Sequence, residues 1–148
     1  MKGKYSKLGF CFMNMAELAG RWLKKAESDL LVAKHVLTDL CPKQVYISCY
    51  HSQQCGEKAL KAFLVAHDID PPKSHDLLCL CQKCEEIEQD FRPFLNSCGD
   101  LTIYGVITRY PNKIEITEEE AANALEKASR IYHHVLTKII SNNSDQAQ

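Results

Sequence analysis

Apolar side chains recur every three or four residues along two long segments, a spacing typical of one face of an α-helix. The pattern predicts helices over residues 16–40 and 43–67, separated by Cys41-Pro42. The first stripe consists of Leu18, Trp22, Ala26, Leu30, Ala33, Leu37 and Leu40, and the second of Tyr46, Cys49, Tyr50, Gln53, Gly56, Leu60, Phe63 and Leu64. Since a glycine inside a helix costs about 1 kcal/mol relative to alanine, Gly56 indicates a close approach of another helix.

The second half of the chain predicts shorter helices. Ser74 is the expected N-cap of a third helix, with Asp76 in its first turn, and this helix is expected to reach Gln89. A fourth helix is predicted over residues 93–108, interrupted at Gly99-Asp100. Residues 117–120 (TEEE) form a capping box that starts the last helix. One face of that helix carries Ala121, Leu125, Ala128, Tyr132, Val135 and Ile139.

No strand pattern competes with these helices, so the sequence predicts an all-α fold, an up-and-down bundle of four to five helices. The expected domain covers residues 16–140. Residues 1–15 are interpreted as a loose leader, with Met13 or Met15 as alternative natural starts, and residues 141–148 as a disordered tail.

Composition agrees with one globular domain: 148 residues, 45% of them hydrophobic and 25% charged. No apolar run approaches the roughly 18 residues of a membrane span, so no membrane association is expected. The net charge of −1 conceals an asymmetry. Residues 1–74 hold 11 Lys and Arg against 7 Asp and Glu, whereas residues 75–148 hold 7 against 12. The whole chain is therefore not a basic nucleic-acid binder, but its first half allows a local basic patch.

Eight cysteines are many for this length. Because residues 1–12 lack the long apolar core of a signal peptide, we expect a cytoplasmic protein with reduced thiols. Cys79, Cys81 and Cys84 form a C-x-C-x2-C motif. On a continuous helix Cys81 and Cys84 share a face while Cys79 points elsewhere, so the spacing favours simple thiols over converging metal ligands. Neither a metal nor a cofactor is predicted.

Candidate chemistry begins with three charged residues in the second helix. Glu57 and Lys61 are four residues apart, in the favourable orientation for an ion pair. One interpretation is a weak pair on a solvated face. The other is a phosphate site, in which Lys58 and Lys61 bind the anion and Glu57 orients a lysine.

Two further candidates lie at helix ends. At the start of the third helix, Asp76 caps while His75 bonds a neighbouring loop, or else free N–H groups and the imidazole together bind an anion. At the end of the fourth, Arg109 either complements the helix dipole or binds a phosphate through its two-pronged guanidinium. Tyr110 could stack on a base or be buried. His133 and His134 are adjacent on a helix and cannot chelate together, since they point about 100° apart.

The order of these motifs resembles the HEPN domain (higher eukaryotes and prokaryotes nucleotide-binding). The resemblance rests on residues 26–33 (AESDLLVA), 50–64 (YHSQQCGEKALKAFL), 74–77 (SHDL) and 109–111 (RYP), and extends over nearly the whole chain. It implies a five-helix bundle, a homodimer, and pairing with a small nucleotidyltransferase in a toxin–antitoxin-like module. It also implies, for many members, a metal-independent ribonuclease whose signature is an arginine followed after four to six residues by a histidine.

The chain departs from that signature. No histidine follows Arg109 within the required distance, and Arg130 is followed by histidines after only two and three residues. The hypothesis is therefore nucleotide or RNA-phosphate binding by Lys58, Lys61, His75, Arg109 and Tyr110. The alternatives are a ribonuclease with a degenerate site, in which His75 and Arg109 are the catalytic candidates, and a dimeric interaction module without catalysis.

Overall fold

A computed structural model describes residues 14–111 and 114–145, so most of the predicted leader lies outside it. Within these two ranges the chain forms only helices, and the predicted all-α fold is confirmed. In chain order they are α1 (Met15–Thr38), α2 (Val45–Ala66), α3 (Leu77–Ile87), a 3-10 segment (Gln89–Phe94), α4 (Leu95–Thr102), α5 (Tyr104–Ile107) and α6 (Glu118–Asp145). None of these helices is both long and apolar enough to cross a membrane.

The helix α2 is the centre of the bundle, because both long helices α1 and α6 pack along it while α3, α4 and α5 cover a further side. Its buried residues therefore extend around most of its circumference. The largest fully buried side chains of the bundle are Leu60, Phe63, Leu64, Leu77, Leu80, Phe91, Leu101 and Ile131. Burial of such side chains supplies the main stabilising term, at about 1.5–3 kcal/mol for each.

Gly56 lies at a close helix contact in the core. A Cβ atom at this position would lie 2.7 Å from Cδ2 of Leu77, the first residue of α3. The predicted close approach at Gly56 is thereby confirmed, and the neighbour is α3.

The N-cap of the third helix was assigned wrongly from the sequence. Asp76, rather than Ser74, is the cap: its carboxylate accepts hydrogen bonds from the amides of Leu78 and Cys79. The hydroxyl of Ser74 instead accepts from the amide of Asp76. A carboxylate at the cap also adds a favourable charge at the positive end of the helix dipole, which a hydroxyl does not. The helix ends at Ile87, two residues before the predicted end.

The interruption of the fourth helix was also misplaced. Gly99 and Asp100 lie inside α4, and the break falls at Ile103. Gly99 is exposed and nothing lies near the position of its missing Cβ, so the helix tolerates it at the usual small cost. The end of α4 is held by Thr102, whose hydroxyl accepts a hydrogen bond from the amide of Leu77. The four-residue helix α5 follows it.

The first and last helices each begin at a side-chain cap. Asn14 accepts from the amide of Glu17 and starts α1 one residue before the predicted boundary. The capping box before α6 is confirmed, because the Glu120 carboxylate accepts from the Thr117 amide and the Thr117 hydroxyl accepts from the Glu120 amide. The helix α6 then continues to Asp145, beyond the predicted domain end at residue 140.

Candidate functional site

Polar side chains are buried along one side of α2. Gln53 is fully buried, and Glu57 and Lys61 are 4% and 8% exposed. These residues are four apart, so they follow one another on the same face of the helix. Charged groups are seldom buried unless they are paired, because removing them from water is costly. The hydrogen-bond and ion-pair partners of these three side chains therefore indicate their role.

Glu57 is the hub of the row. Its Oε1 atom accepts a hydrogen bond from Nζ of Lys61 at 2.8 Å, and its Oε2 atom lies 3.1 Å from Nδ1 of His75. Burial by itself raises the pKa of Glu57. The bond and charge of Lys61, together with the bonds from His75 and Gln53, outweigh burial, so the pKa lies below its usual value. Glu57 is thus held as a carboxylate inside the protein.

Gln53 links Glu57 to two other parts of the chain. Its Nε2 atom donates to Oε2 of Glu57 and to the backbone carbonyl of His75, at 3.2 Å each. On its other side the amide group meets α5 at Gly105, where a Cβ atom would lie 3.1 Å from Cδ of Gln53. One buried amide thereby touches both the loop that carries His75 and the short helix that precedes Arg109.

His75 presents its ring to solvent while one of its nitrogens is held. The side chain is 72% exposed although Nδ1 lies within hydrogen-bond distance of Glu57. If Nδ1 carries the proton, this bond fixes the tautomer in which Nε2 is an exposed acceptor. The hypothesis of a bond from His75 to a neighbouring loop is wrong, since the ring reaches α2.

The start of α3 is not an anion site. The amides of Leu78 and Cys79 donate to the carboxylate of Asp76, and the amide of Leu77 donates to Thr102. The amide of the cap residue itself donates to the hydroxyl two residues before it. All four amides that a helix leaves open at its N-terminus are therefore occupied by protein acceptors. Any anion bound at this end of the helix has to be recognised by side chains.

Arg109 follows α5 and lies over an aromatic ring. Its guanidinium carbon is 5.4 Å from the ring centroid of Tyr50, and the side chain is exposed. A cation over an aromatic face is stabilised by about 0.5–1 kcal/mol at an exposed position. Tyr50 therefore helps to position the guanidinium of an exposed side chain. Tyr110 is 68% exposed, which fits the stacking alternative and not the buried one.

The two lysines predicted to share a phosphate have separate partners. Lys61 is paired with Glu57, and its Nζ atom lies 5.7 Å from the ring centroid of Trp22 in α1. Lys58 is turned toward α1, where it pairs with Asp29. The interpretation of a weak, solvated Glu57–Lys61 pair is wrong, because both side chains are at least nine-tenths buried. Each lysine charge is balanced by a carboxylate.

A second buried carboxylate supports the seam between α1 and α2. Asp29 is 7% exposed, and its Oδ1 atom lies 2.7 Å from Nδ1 of His51. Its other carboxylate oxygen, Oδ2, forms an ion pair with the ammonium group of Lys58. The seam thus carries the same combination of carboxylate, lysine and histidine as Glu57, with its histidine less exposed than His75.

The cysteines do not converge on a metal in the described ranges. Cys81 and Cys84 are buried on one face of α3 and Cys79 is not, as the helical spacing predicted. Burial raises the pKa of the Cys84 thiol, so it stays protonated. Residues 14–111 and 114–145 hold no group of three or more metal-binding side chains. His134 packs against Phe91 and Phe94, while His133 is exposed.

Comparison with known proteins identifies the family. The model of the HEPN domain matches residues 19–139, which is most of the chain. The chain belongs to the HEPN domain family. Two solved structures resemble the HEPN chain over about four-fifths of its length. One is ST0689, an archaeal HEPN homologue, with 26% identity, a TM-score of 0.66 and coverage of 82% of this chain and 97% of that one.

The other structure is TT1696 from Thermus thermophilus, again 26% identical, with a TM-score of 0.68 and coverage of 81% of this chain and 97% of that one. A curated relative from Methanocaldococcus jannaschii bears the name "Putative toxin MJ1304". It is 51% identical over 49 residues, which are 32% of this chain and 30% of that protein. The HEPN chain thus matches less than a third of this curated relative.

Sequence reasoning missed two residues that organise the site of this HEPN protein. Asp29 interrupts the apolar stripe of α1, lying three residues after Ala26 and four before Ala33, both fully buried. An acidic residue at such a position is a signal of a buried ion pair. Gln53 was assigned to the apolar face of α2, but its role as a link became visible only from its contacts with His75 and Gly105.

Proposed function

We propose that this HEPN protein binds the phosphates of a nucleotide or of RNA through Arg109 and His75. The strongest support for this proposal is that both side chains are held in position and are exposed to solvent. The guanidinium is held over Tyr50 and the imidazole is held on buried Glu57, yet both remain exposed. Arginine recognises phosphate through two parallel hydrogen bonds. Tyr110, exposed beside it, is proposed to stack on a base.

Lys58 and Lys61 have a supporting role in this proposal. Because each is paired with a buried carboxylate, they add little net charge to the site, and Lys61 instead bonds Glu57, the carboxylate that holds His75. We therefore expect replacement of Arg109 by alanine to weaken RNA binding more than the loss of the Lys61 charge does, because the charge of Lys61 is already paired.

The test is a binding titration of labelled RNA against wild type, Arg109→Ala and His75→Ala. Both variants alter exposed side chains, so circular dichroism is expected to show an intact bundle. We expect a clear loss of affinity in each variant. Unchanged affinity in both would remove the site assignment.

A ribonuclease is the second candidate, and one contact favours it. When Nδ1 of His75 carries the proton and donates to Glu57, Nε2 is left available as a general base for a 2′-hydroxyl. The assay is incubation of RNA with the protein in a chelator. Cleavage that is lost in His75→Ala supports catalysis, and intact RNA at high protein concentration contradicts it.

The wider setting is proposed as a cytoplasmic, toxin-like module with a nucleotidyltransferase partner and a homodimeric HEPN component. The toxin name of the archaeal relative supports the module. The exposed apolar side chains of Ile103 and Val106, close in sequence to Arg109, support an interaction surface. Light scattering of the purified protein tests the dimer, and co-purification with a nucleotidyltransferase encoded nearby tests the partner.

A further inference from the structure

Three buried cysteines lie close together where α3 packs on α4. Cys81 and Cys84 are on the buried face of α3, and Cys98 is on the buried face of α4. All three are free thiols with no exposed surface. They take no part in the proposed phosphate site, and the described residues hold no metal-binding cluster that would include them. The contacts of each sulfur show which two of the three can react with each other.

The pairing of α3 with α4 sets Cys81 opposite Cys98. The hydroxyl of Thr102 accepts a hydrogen bond from the amide of Leu77 at 3.1 Å, so the first turn of α3 meets the last turn of α4. A short 3-10 segment joins the other ends of the two helices, which therefore run antiparallel. Cys81 lies four residues after Leu77, and Cys98 lies four residues before Thr102. Each is one helical turn further along, so the two cysteines meet as the next pair.

The sulfur atoms of this pair are in direct contact. The Cys98 thiol donates a hydrogen bond to the sulfur of Cys81, and the Cys81 thiol donates to the backbone carbonyl of Phe91 at 3.6 Å. The bond from Cys98 lowers the pKa of Cys81, and the same bond raises the pKa of Cys98. Cys81 is therefore the member that ionises first. Since the thiolate is the reactive form of cysteine, Cys81 is the attacking thiol and Cys98 the resolving one.

The third thiol of the group is directed toward another helix. The Sγ atom of Cys84 donates to the backbone carbonyl of Leu60 in α2 at 3.8 Å, and burial raises the pKa of this thiol. Cys84 is thus as deeply buried as Cys81 and lies on the same face of α3, but its hydrogen bond is to α2. It is the matched control for any property assigned to Cys81.

We propose that Cys81 and Cys98 form a redox-sensitive disulfide that joins α3 to α4. With hydrogen peroxide as the oxidant, the Cys81 thiolate attacks one oxygen and breaks the O–O bond. This gives a sulfenic acid and hydroxide, and the hydroxide takes up the proton that Cys81 has lost. The sulfur of Cys98 then attacks the sulfur of Cys81, and the S–O bond breaks. The thiol proton of Cys98 leaves with that oxygen, so two thiols and one peroxide give one disulfide and two water molecules.

The surroundings of the pair provide a route for the oxidant. The helix α4 is eight residues long and buries only Cys98 and Leu101. Helices of this length are marginal by themselves, and elements with few buried contacts open locally at low cost. Opening of α4 exposes both sulfurs without unfolding the three long helices of the bundle.

The disulfide would fasten together the two segments that carry the exposed side chains of the candidate site. The helix α3 begins two residues after His75, and α4 leads through α5 to Arg109. Oxidation would therefore hold these segments in one relative position and oppose the opening of α4. The proposal is independent of phosphate binding, so either can fail without the other.

The test uses the full chain with three other cysteines replaced by serine. Cys41 and Cys79 are not buried, and Cys11 lies outside the described residues, so their removal leaves the buried thiols as the targets of peroxide. After treatment with hydrogen peroxide, this protein is expected to lose the mass of two hydrogens, and dithiothreitol is expected to restore it. The thermal unfolding temperature is expected to rise by about 5–10 °C on oxidation, because a disulfide that closes a loop of roughly 16 residues constrains the unfolded chain.

Three further variants in this background assign the bond. Cys81→Ala and Cys98→Ala are each expected to abolish both the loss of hydrogen and the rise in unfolding temperature, whereas Cys84→Ala is expected to retain both. Circular dichroism of the reduced proteins checks that each variant folds. Tandem mass spectrometry of peptides from the oxidised background protein locates the bond without any of these variants, so the proposal stays testable where an alanine variant does not fold.

Three results would overturn the proposed disulfide. The first is an unchanged mass, or a gain of oxygen in place of the loss of hydrogen, in the oxidised background protein. The second is a disulfide that persists in Cys98→Ala, or a fragment that links Cys81 to Cys84. The third is a disulfide that forms between Cys81 and Cys98 but leaves the unfolding temperature unchanged, since such a bond does not hold α3 on α4.

Discussion

Glu57 and His75 are eighteen residues apart in the sequence, and Nδ1 of His75 lies 3.1 Å from the buried Oε2 atom of Glu57. One carboxylate thus joins the interior of α2 to an exposed ring in the loop before α3. The same carboxylate neutralises Lys61. A site built in this way couples the stability of the core to the position of its exposed side chain.

Replacement of Glu57 by alanine is expected to destabilise the protein by about 3–5 kcal/mol, because it leaves the Lys61 ammonium buried without a counter-charge. Urea unfolding followed by circular dichroism measures the loss. The double variant Glu57→Gln/Lys61→Met is the control, since it removes both charges at similar volume. The double variant is expected to recover most of the free energy of unfolding. An equal loss in both variants would show that the unpaired Lys61 charge is not the cause of the destabilisation.

The pH dependence of stability follows from the lowered pKa of Glu57. A carboxyl whose folded pKa lies below its unfolded value of about 4.3 stabilises the fold above that value. Its contribution is lost as the pH falls from there through the folded pKa. We expect wild type to lose stability over this acid range in urea titrations, and Glu57→Gln to show a smaller slope. Parallel slopes in the two proteins would contradict this assignment.

Two glycines in helices are expected to respond to alanine in opposite directions. At Gly56 the new Cβ would meet Leu77 at 2.7 Å, so we expect destabilisation of about 1–3 kcal/mol despite the better helix propensity. At Gly99 the space is open, and alanine is expected to stabilise by up to about 1 kcal/mol. Thermal unfolding of both variants checks the pair. A stabilised Gly56→Ala would refute the close packing of α2 on α3.

The two assignments of the α3 cap make different predictions. Asp76→Ala removes the acceptor of two amides and is expected to cost about 1 kcal/mol of unfolding free energy. Ser74→Ala removes only the acceptor for the Asp76 amide at the edge of the loop and is expected to cost less. If urea unfolding ranks the two variants the other way round, Ser74 is the functional cap.

Periodicity predicted the long helices well because their signals are local. The stripes of α1 and α2, the capping box at Thr117 and the tight contact at Gly56 each depend on residues within a few turns or on the size of one side chain. The break at Ile103 has no such signal. The residue before it, Thr102, accepts a hydrogen bond from the amide of Leu77, twenty-five residues away, and a local pattern does not show such a contact.

The site was predictable only in part for the same reason. Arg109 and His75 were selected from the order of motifs, and both are exposed. The burial of Glu57 and Lys61 was missed, because their i, i+4 spacing is equally common on a solvated face. Lys61 lies over Trp22 of α1 and Glu57 is met by His75 from the loop before α3, and both contacts are tertiary properties.

The link from Gln53 to α5 gives a final prediction for the site. Alanine at Gly105 would place a Cβ atom 3.1–3.3 Å from three atoms of the Gln53 amide, so either that amide or α5 has to shift. Since α5 leads directly to Arg109, we expect Gly105→Ala to weaken RNA binding while the thermal unfolding temperature changes little. The matched control is Gly20→Ala, which meets nothing within 4 Å. RNA titrations of both variants decide the matter: equal affinities would show that the contact between Gln53 and Gly105 does not position the arginine.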